Sequence, residues 1–66
     1  MTVDEVRRRV ADIARSAADD EGAHRMEDGL HEDVLAAIRD GECDDPSACA
    51  AEALMTREIE FSRWYS

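Results

Sequence analysis

Apolar residues recur along the first part of the chain at alternating steps of three and four, at Val3, Val6, Val10, Ile13 and Ala17. That spacing places them on one narrow face of an α-helix packed against other helices, with Arg7, Arg8 and Arg9 turned mostly to water. Thr2 and Glu5 read as a capping box at its start: the Thr hydroxyl accepts an early amide and the Glu three residues on reaches back to the cap. Continued in register, the seam would pass through Asp20, His24, Glu27 and His31, and four polar residues in a row do not make a dry interface. The pattern therefore predicts a break near Ala18 to Asp20. A first helix covers about 2–18 and a second about 20–40, the second started by Asp19, Asp20 and Glu21 and carrying a new stripe of Met26, Leu30, Val34, Leu35 and Ile38. Gly41 is its expected C′ residue. Gly22 and Gly29 cost this helix about 1 kcal/mol each relative to Ala, which points to close packing at those positions. The competing reading is a single bent helix from Thr2 to Asp40.

Glu42 to Asp44 read as a loop, and Asp45-Pro46-Ser47 as a third helix start over about 46–56, with Cys49, Ala50, Ala53 and Leu54 facing inward. Small residues on that face permit close approach to another helix. After Thr56 the period changes: Ile59 and Phe61 alternate with Glu58 and Glu60, which predicts a short extended segment, and Ser62 is placed to cap a last turn holding Trp64 and Tyr65. All three aromatic residues fall in the last six positions. The expected fold is all-α, one small three-helix domain over 1–66, with an aromatic C-terminal segment (57–66) packed over it. Leu54, Met55, Ile59, Phe61 and Trp64 complete the expected core. The tail reads either as a lid on the fold or as an anchor for another protein, and the shortage of other large side chains favours the lid.

At 66 residues one core barely offsets chain entropy, so a second copy is expected to complete the apolar surface, making a homodimer through the helix 1 seam and the small-residue face of helix 3. The formal charge of −9 is uneven. Residues 19–45 hold eleven acids and two arginines, whereas residues 1–18 hold four arginines and three acids. That acidic middle repels phosphate backbones, excludes direct nucleic-acid binding and favours basic protein partners. Every basic residue is Arg, the mark of a GC-rich coding genome. No run approaches the ~20 apolar residues of a membrane span, and the chain opens on a helix start where a secretory signal would need a basic then apolar run, so a cytoplasmic location is expected. Cys43 and Cys49 are then free thiols, with Cys49 a small core residue.

Three stretches resemble a known group. Asp33-Val34-Leu35-Ala36-Ala37-Ile38-Arg39-Asp40-Gly41, the Asp45-Pro46 helix start, and Arg57-Glu58-Ile59-Glu60-Phe61-Ser62-Arg63-Trp64-Tyr65 are similar to small uncharacterised helical proteins of actinobacteria and their phages. The likeness covers most of residues 19–66. It implies no known activity and carries over no functional residue.

The candidate chemistry lies on helix 2, where Glu21 and His24, and Asp28 and His31, each set a carboxylate three residues before a histidine, the unit of di-metal carboxylate bundles. His24 and His31 lie roughly 10 Å apart along the helix axis, too far to share one ion. The six-residue step from Cys43 to Cys49 is not a zinc knuckle and supplies only two thiolates. No phosphate loop, nucleophile elbow or Cys-His signature occurs, so neither an enzyme nor a cofactor is expected. Arg7-Arg8-Arg9 spreads round its helix and answers the acidic helix 2 rather than forming a flat basic patch. The resulting expectation is a protein-binding regulatory or accessory module, with Glu27, Asp28, His31, Phe61, Trp64 and Tyr65 as candidate partner-binding residues. Two alternatives compete with it: a metal-binding helical protein using Glu21, His24, Asp28 and His31, and a nucleic-acid mimic whose carboxylates occupy a basic groove.

Overall fold

The computed structural model describes residues 1–63. Thr2 Oγ1 accepts from the Glu5 amide at 3.1 Å and starts α1, Val3–Arg15, with Asp4 and Glu5 at its positive end. The helix stops at Arg15 rather than near residue 18. Amides of Ser16, Ala17 and Asp19 then bond back to carbonyls of residues 12–16 in successive turns, so the chain breaks just where its apolar seam would have turned polar. The single bent helix is not what forms.

Helix α2, Asp20–Arg39, begins under the Asp19 carboxylate, which accepts from the Gly22 amide at 3.1 Å. A Cβ on Gly22 would lie 2.5 Å from Asp19 Oδ2, so the capping carboxylate occupies the space a side chain would need. At the other end Gly41 takes φ +70°, and the amides of Gly41 and Glu42 close on the carbonyls of Ile38 and Ala37. Asp45 caps α3, Pro46–Ala53, by accepting from the Ala48 amide at 3.1 Å. The chain then tightens into a 3₁₀ helix, Leu54–Glu58, where α-helix was expected to Thr56. The Ala53 carbonyl takes two side-chain donors there, the Thr56 hydroxyl at 3.1 Å and His31 Nε2 at 3.2 Å, and this local competition favours the tighter turn. No strand forms among the described residues. Ile59 is extended, and the Ser62 amide reaches Asp20 Oδ1 at 3.1 Å, which lays the segment back toward the start of α2.

Val6 and Ile13 from α1, Ala23, Leu30 and Val34 from α2, and Cys49 and Ala53 from α3 form the core. Val3, Val10, Ile38, Ile59 and Phe61 pack against it partly buried. Each fully buried aliphatic side chain contributes about 1.5–3 kcal/mol, and the Ala and Cys positions bring the helix backbones close. Two of the three consecutive arginines hold α1 in place, Arg9 on Asp33 of α2 at 2.8 Å and Arg7 on Glu52 of α3 at 3.2 Å. As exposed pairs these contribute only about 0–1 kcal/mol each. The helix 1 seam is thus spent inside the chain, whereas Ala50 on the small-residue face of α3 stays partly open.

Four expected core residues stand in water: Leu35 at 67% exposure, Leu54 at 61%, Met55 at 50%, and Met26 to a smaller extent. At ~100° per residue Leu35 lies roughly 60° further round α2 than Ile38, past the sector that α1 and α3 cover. Leu54, the first residue of the 3₁₀ helix, stands clear of the core for the same reason: three helices shield only one side of each other. Of the three aromatic residues in the C-terminal segment, only Phe61 is described. Trp64, Tyr65 and the turn Ser62 was expected to cap lie outside the described residues.

Candidate functional site

Two features of α2 stand out, a polar lock under its inner face and an apolar groove along its outer one. The lock starts from Glu27, a candidate partner-binding residue that is only 3% exposed. Its carboxylate meets the Arg63 guanidinium fork to fork, Oε1 to Nε at 2.8 Å and Oε2 to Nη2 at 3.1 Å. Arg63 also donates to three carbonyls, Thr56 at 2.8 Å, Ile59 at 3.2 Å and Phe61 at 3.3 Å, and its guanidinium carbon lies 3.8 Å from the centre of the Phe61 ring. Such saturation of donors is what makes a buried charge tolerable. Burial pushes the Glu27 carboxyl up, but the hydrogen bonds from Arg63, the nearby Thr56 hydroxyl and the charges of Arg63 and His31 outweigh it and hold the group below its ordinary value. The bond to Glu27 likewise holds Arg63 above the usual guanidinium value against the opposing effect of burial.

His31, one turn beyond Glu27, points into the same cluster. Its Nε2 lies 3.2 Å from the Ala53 carbonyl and 3.1 Å from Thr56 Oγ1. A carbonyl only accepts, so Nε2 carries the hydrogen. Thr56 itself is fully buried. The residues therefore join the end of α3, the 3₁₀ helix and the segment through Arg63 to the middle of α2.

The carboxylate and histidine pairs do not converge on an ion. Glu21 bonds Arg25 at 2.9 Å, buried His24 lies 3.6 Å from Asp28, and His31 is engaged with α3. Among the described residues no group of three His, Cys, Asp or Glu is placed to hold a metal. Cys43 and Cys49 are free thiols. Burial pushes the Cys49 thiol up, and the neighbouring Cys43 thiol raises it further, so Cys49 behaves as a core residue rather than a thiolate.

The second feature is a groove of about 290 Å³ between α2 and α3. Val34 and Ala53 form its floor, with Ile38 and Ala50 beside them, His31 closes one end, and Leu35 and Leu54 stand up as its walls. No polar atom contributes to its exposed lining. By contrast, a depression beside α1 is bordered by Glu5, Arg8, Arg9, Asp12 and Arg15. On the solvent side of Leu35, helical geometry sets the exposed carboxylates of Asp28 and Glu32.

Of the candidate partner-binding residues, Asp28 is exposed on α2 about one turn before the His31 end of the groove, His31 and Phe61 are half-buried in the lock, and Glu27 is its buried carboxylate. Trp64 and Tyr65 are outside the described residues. Sequence reasoning missed Arg63 and the groove walls. One signal for the lock was present: Glu27 and His31 lie on the continuation of the apolar face, and a carboxylate there needs a cation. No helix among the described residues is long and apolar enough to cross a membrane. No protein-family model, curated protein or solved structure matches the chain, so none of these residues takes a role from a relative.

Proposed function

We propose that the chain is a protein-binding accessory or regulatory module whose contact surface is the α2–α3 groove. The observation that supports this is the pair of exposed leucines flanking an apolar cleft in a fold with few large side chains. Burying one such side chain is worth about 1.5–3 kcal/mol, a gain that a domain this small leaves unused in isolation. A partner seated in the groove collects it. Asp28 and Glu32, at the rim, then act on orientation and encounter rate more than on affinity.

Capture from a lysate of the native host with three baits tests the reading. A protein retained by the wild type and by Ala14→Asp, on the exposed side of α1, but lost with Leu35→Asp supports it. Retention indifferent to Leu35→Asp overturns it. Retention that survives Leu35→Asp and vanishes in moderate salt instead favours a nucleic-acid mimic, whose carboxylates carry the contact.

A further inference from the structure

The chemistry around the groove narrows its occupant. Its floor and walls are carbon, and no strand edge exists among the described residues to pair with an incoming backbone. An extended peptide laid in it would bury amides and carbonyls without partners, whereas a helix satisfies its own and presents only side chains. Ala50 and Ala53 leave room for aliphatic side chains to drop between Leu35 and Leu54.

The rim is asymmetric in charge. Asp28 and Glu32 edge the α2 side, while Ser47 and Ala51 on α3, three positions before Ala50 and Leu54, carry no charge. Arg39, at the far end of the α2 rim, is tied by two bonds to Asp40 at 2.8 and 3.2 Å, and exposed Arg57 is followed by exposed Glu58. The remaining excess is negative, in agreement with the −9 of the whole chain. A second copy would set the same acidic rim and the same net charge against itself, so complementarity favours a basic partner.

Resting on the groove as contact surface, we propose that its occupant is an amphipathic helix of another protein. The helix carries aliphatic residues at i, i+4 and i+7 and Lys or Arg on the flank that faces Asp28 and Glu32. Binding adds a fourth helix to the bundle, its leucine-type side chains filling the cleft and its basic flank meeting the acidic rim.

The test uses the full chain and designed helical peptides. The first peptide has Leu at i, i+4 and i+7 with a Lys flank, the second has the same Leu positions with a Glu flank, and the third is the first with its order scrambled. Calorimetric titration and amide NMR shifts are recorded, together with light scattering of the chain alone. The Lys-flanked peptide is expected to bind at micromolar concentrations and shift the amides of Leu35, Ala50 and Leu54, with at least about tenfold weaker binding for the Glu-flanked peptide and for the Leu35→Asp variant. Equal binding of the Lys and Glu peptides overturns the basic occupant while leaving the groove as a contact surface. Equal binding of the scrambled peptide overturns the proposal by showing mere attraction of polycations. No peptide binding with a dimer that Leu35→Asp dissolves replaces the occupant by a second copy. No peptide binding by a monomer overturns the helix occupant, and Leu35-dependent capture then decides the wider reading separately.

Discussion

Helix α2 treats its two flanks in opposite ways: it buries the carboxylate of Glu27 and leaves the isobutyl group of Leu35 in water. Hydrophobicity alone orders these residues the other way round. What decides is the supply of neighbours. Glu27 faces the returning chain, where Arg63 brings a matched fork and the carbonyls of Thr56, Ile59 and Phe61 absorb the donors that remain. Leu35 faces a side that no element among the described residues covers. The lock is a finished interaction and the groove an unfinished one, and that contrast is why stability is assigned to the first and binding to the second.

The largest expected effect comes from opening the lock. Removing one member of a buried ion pair costs about 3–5 kcal/mol because the other charge is left uncompensated, against a total of roughly 0.05–0.15 kcal/mol per residue for small proteins. Arg63→Ala strands Glu27 beneath the segment, whereas Glu27→Ala leaves an arginine that can swing into water. Urea unfolding is expected to show Arg63→Ala as the more damaging of the two, close to global unfolding, and the double variant as less harmful than the sum. Strictly additive losses would show that the pair is not coupled and would remove the contrast between the two flanks.

Acid tests the same pair without mutation. Above the ordinary carboxyl value of about 4.5, Glu27 is ionised in folded and unfolded chains and its full contribution is present. Below that value the unfolded chain binds a proton that the native state refuses, so stability falls with pH until the lower native value is passed and the contribution is gone. Thermal midpoints recorded downward from pH 5 are expected to fall more steeply for the wild type than for Glu27→Ala/Arg63→Ala. Parallel curves would assign the acid sensitivity to other carboxylates.

Thr56→Val gives a smaller loss. It removes the hydroxyl that joins His31 and the Ala53 carbonyl while keeping the shape of a fully buried side chain, with an expected cost of about 1–2 kcal/mol. His31 keeps the Ala53 carbonyl as acceptor, which limits the damage. An unchanged urea midpoint would mean that the cluster is held by Arg63 alone.

Features decided within a few residues were legible before folding. Thr2, Asp19 and Asp45 cap the helices because each needs only an amide three residues away, and the break after α1 follows from the polar continuation of its own seam. Gly41 ends α2 through a local backbone requirement. Features decided at a distance were not legible. Arg63 stands 36 residues from Glu27, in a stretch whose alternation resembles a half-buried strand, so nothing adjacent marks it as the cation that the inner face of α2 needs. The 3₁₀ turn likewise depends on His31 arriving from another helix. Leu35 and Leu54 carry the right period for a core, and only the arrangement of three helices reveals that no described element covers their sector. The groove was illegible because periodicity reports which face is apolar and not whether another element reaches it.

The smallest expected effect is the most pointed. Leu35→Gln exchanges a large aliphatic side chain for a polar one at a position 67% exposed, so little burial is lost and a helix-compatible residue replaces another. The change in unfolding free energy is expected within about ±0.5 kcal/mol, the range of ordinary surface substitutions. In most helices a leucine to glutamine change inside an apolar stripe is a damaging core mutation, and here it is expected to be silent while loss of a single arginine opens the fold. Chemical unfolding of Leu35→Gln beside Arg63→Ala measures both halves of that inversion in one experiment. A loss above about 2 kcal/mol for Leu35→Gln would place this side chain in a packed interior, and the groove would then be part of the core rather than a surface held open for a partner.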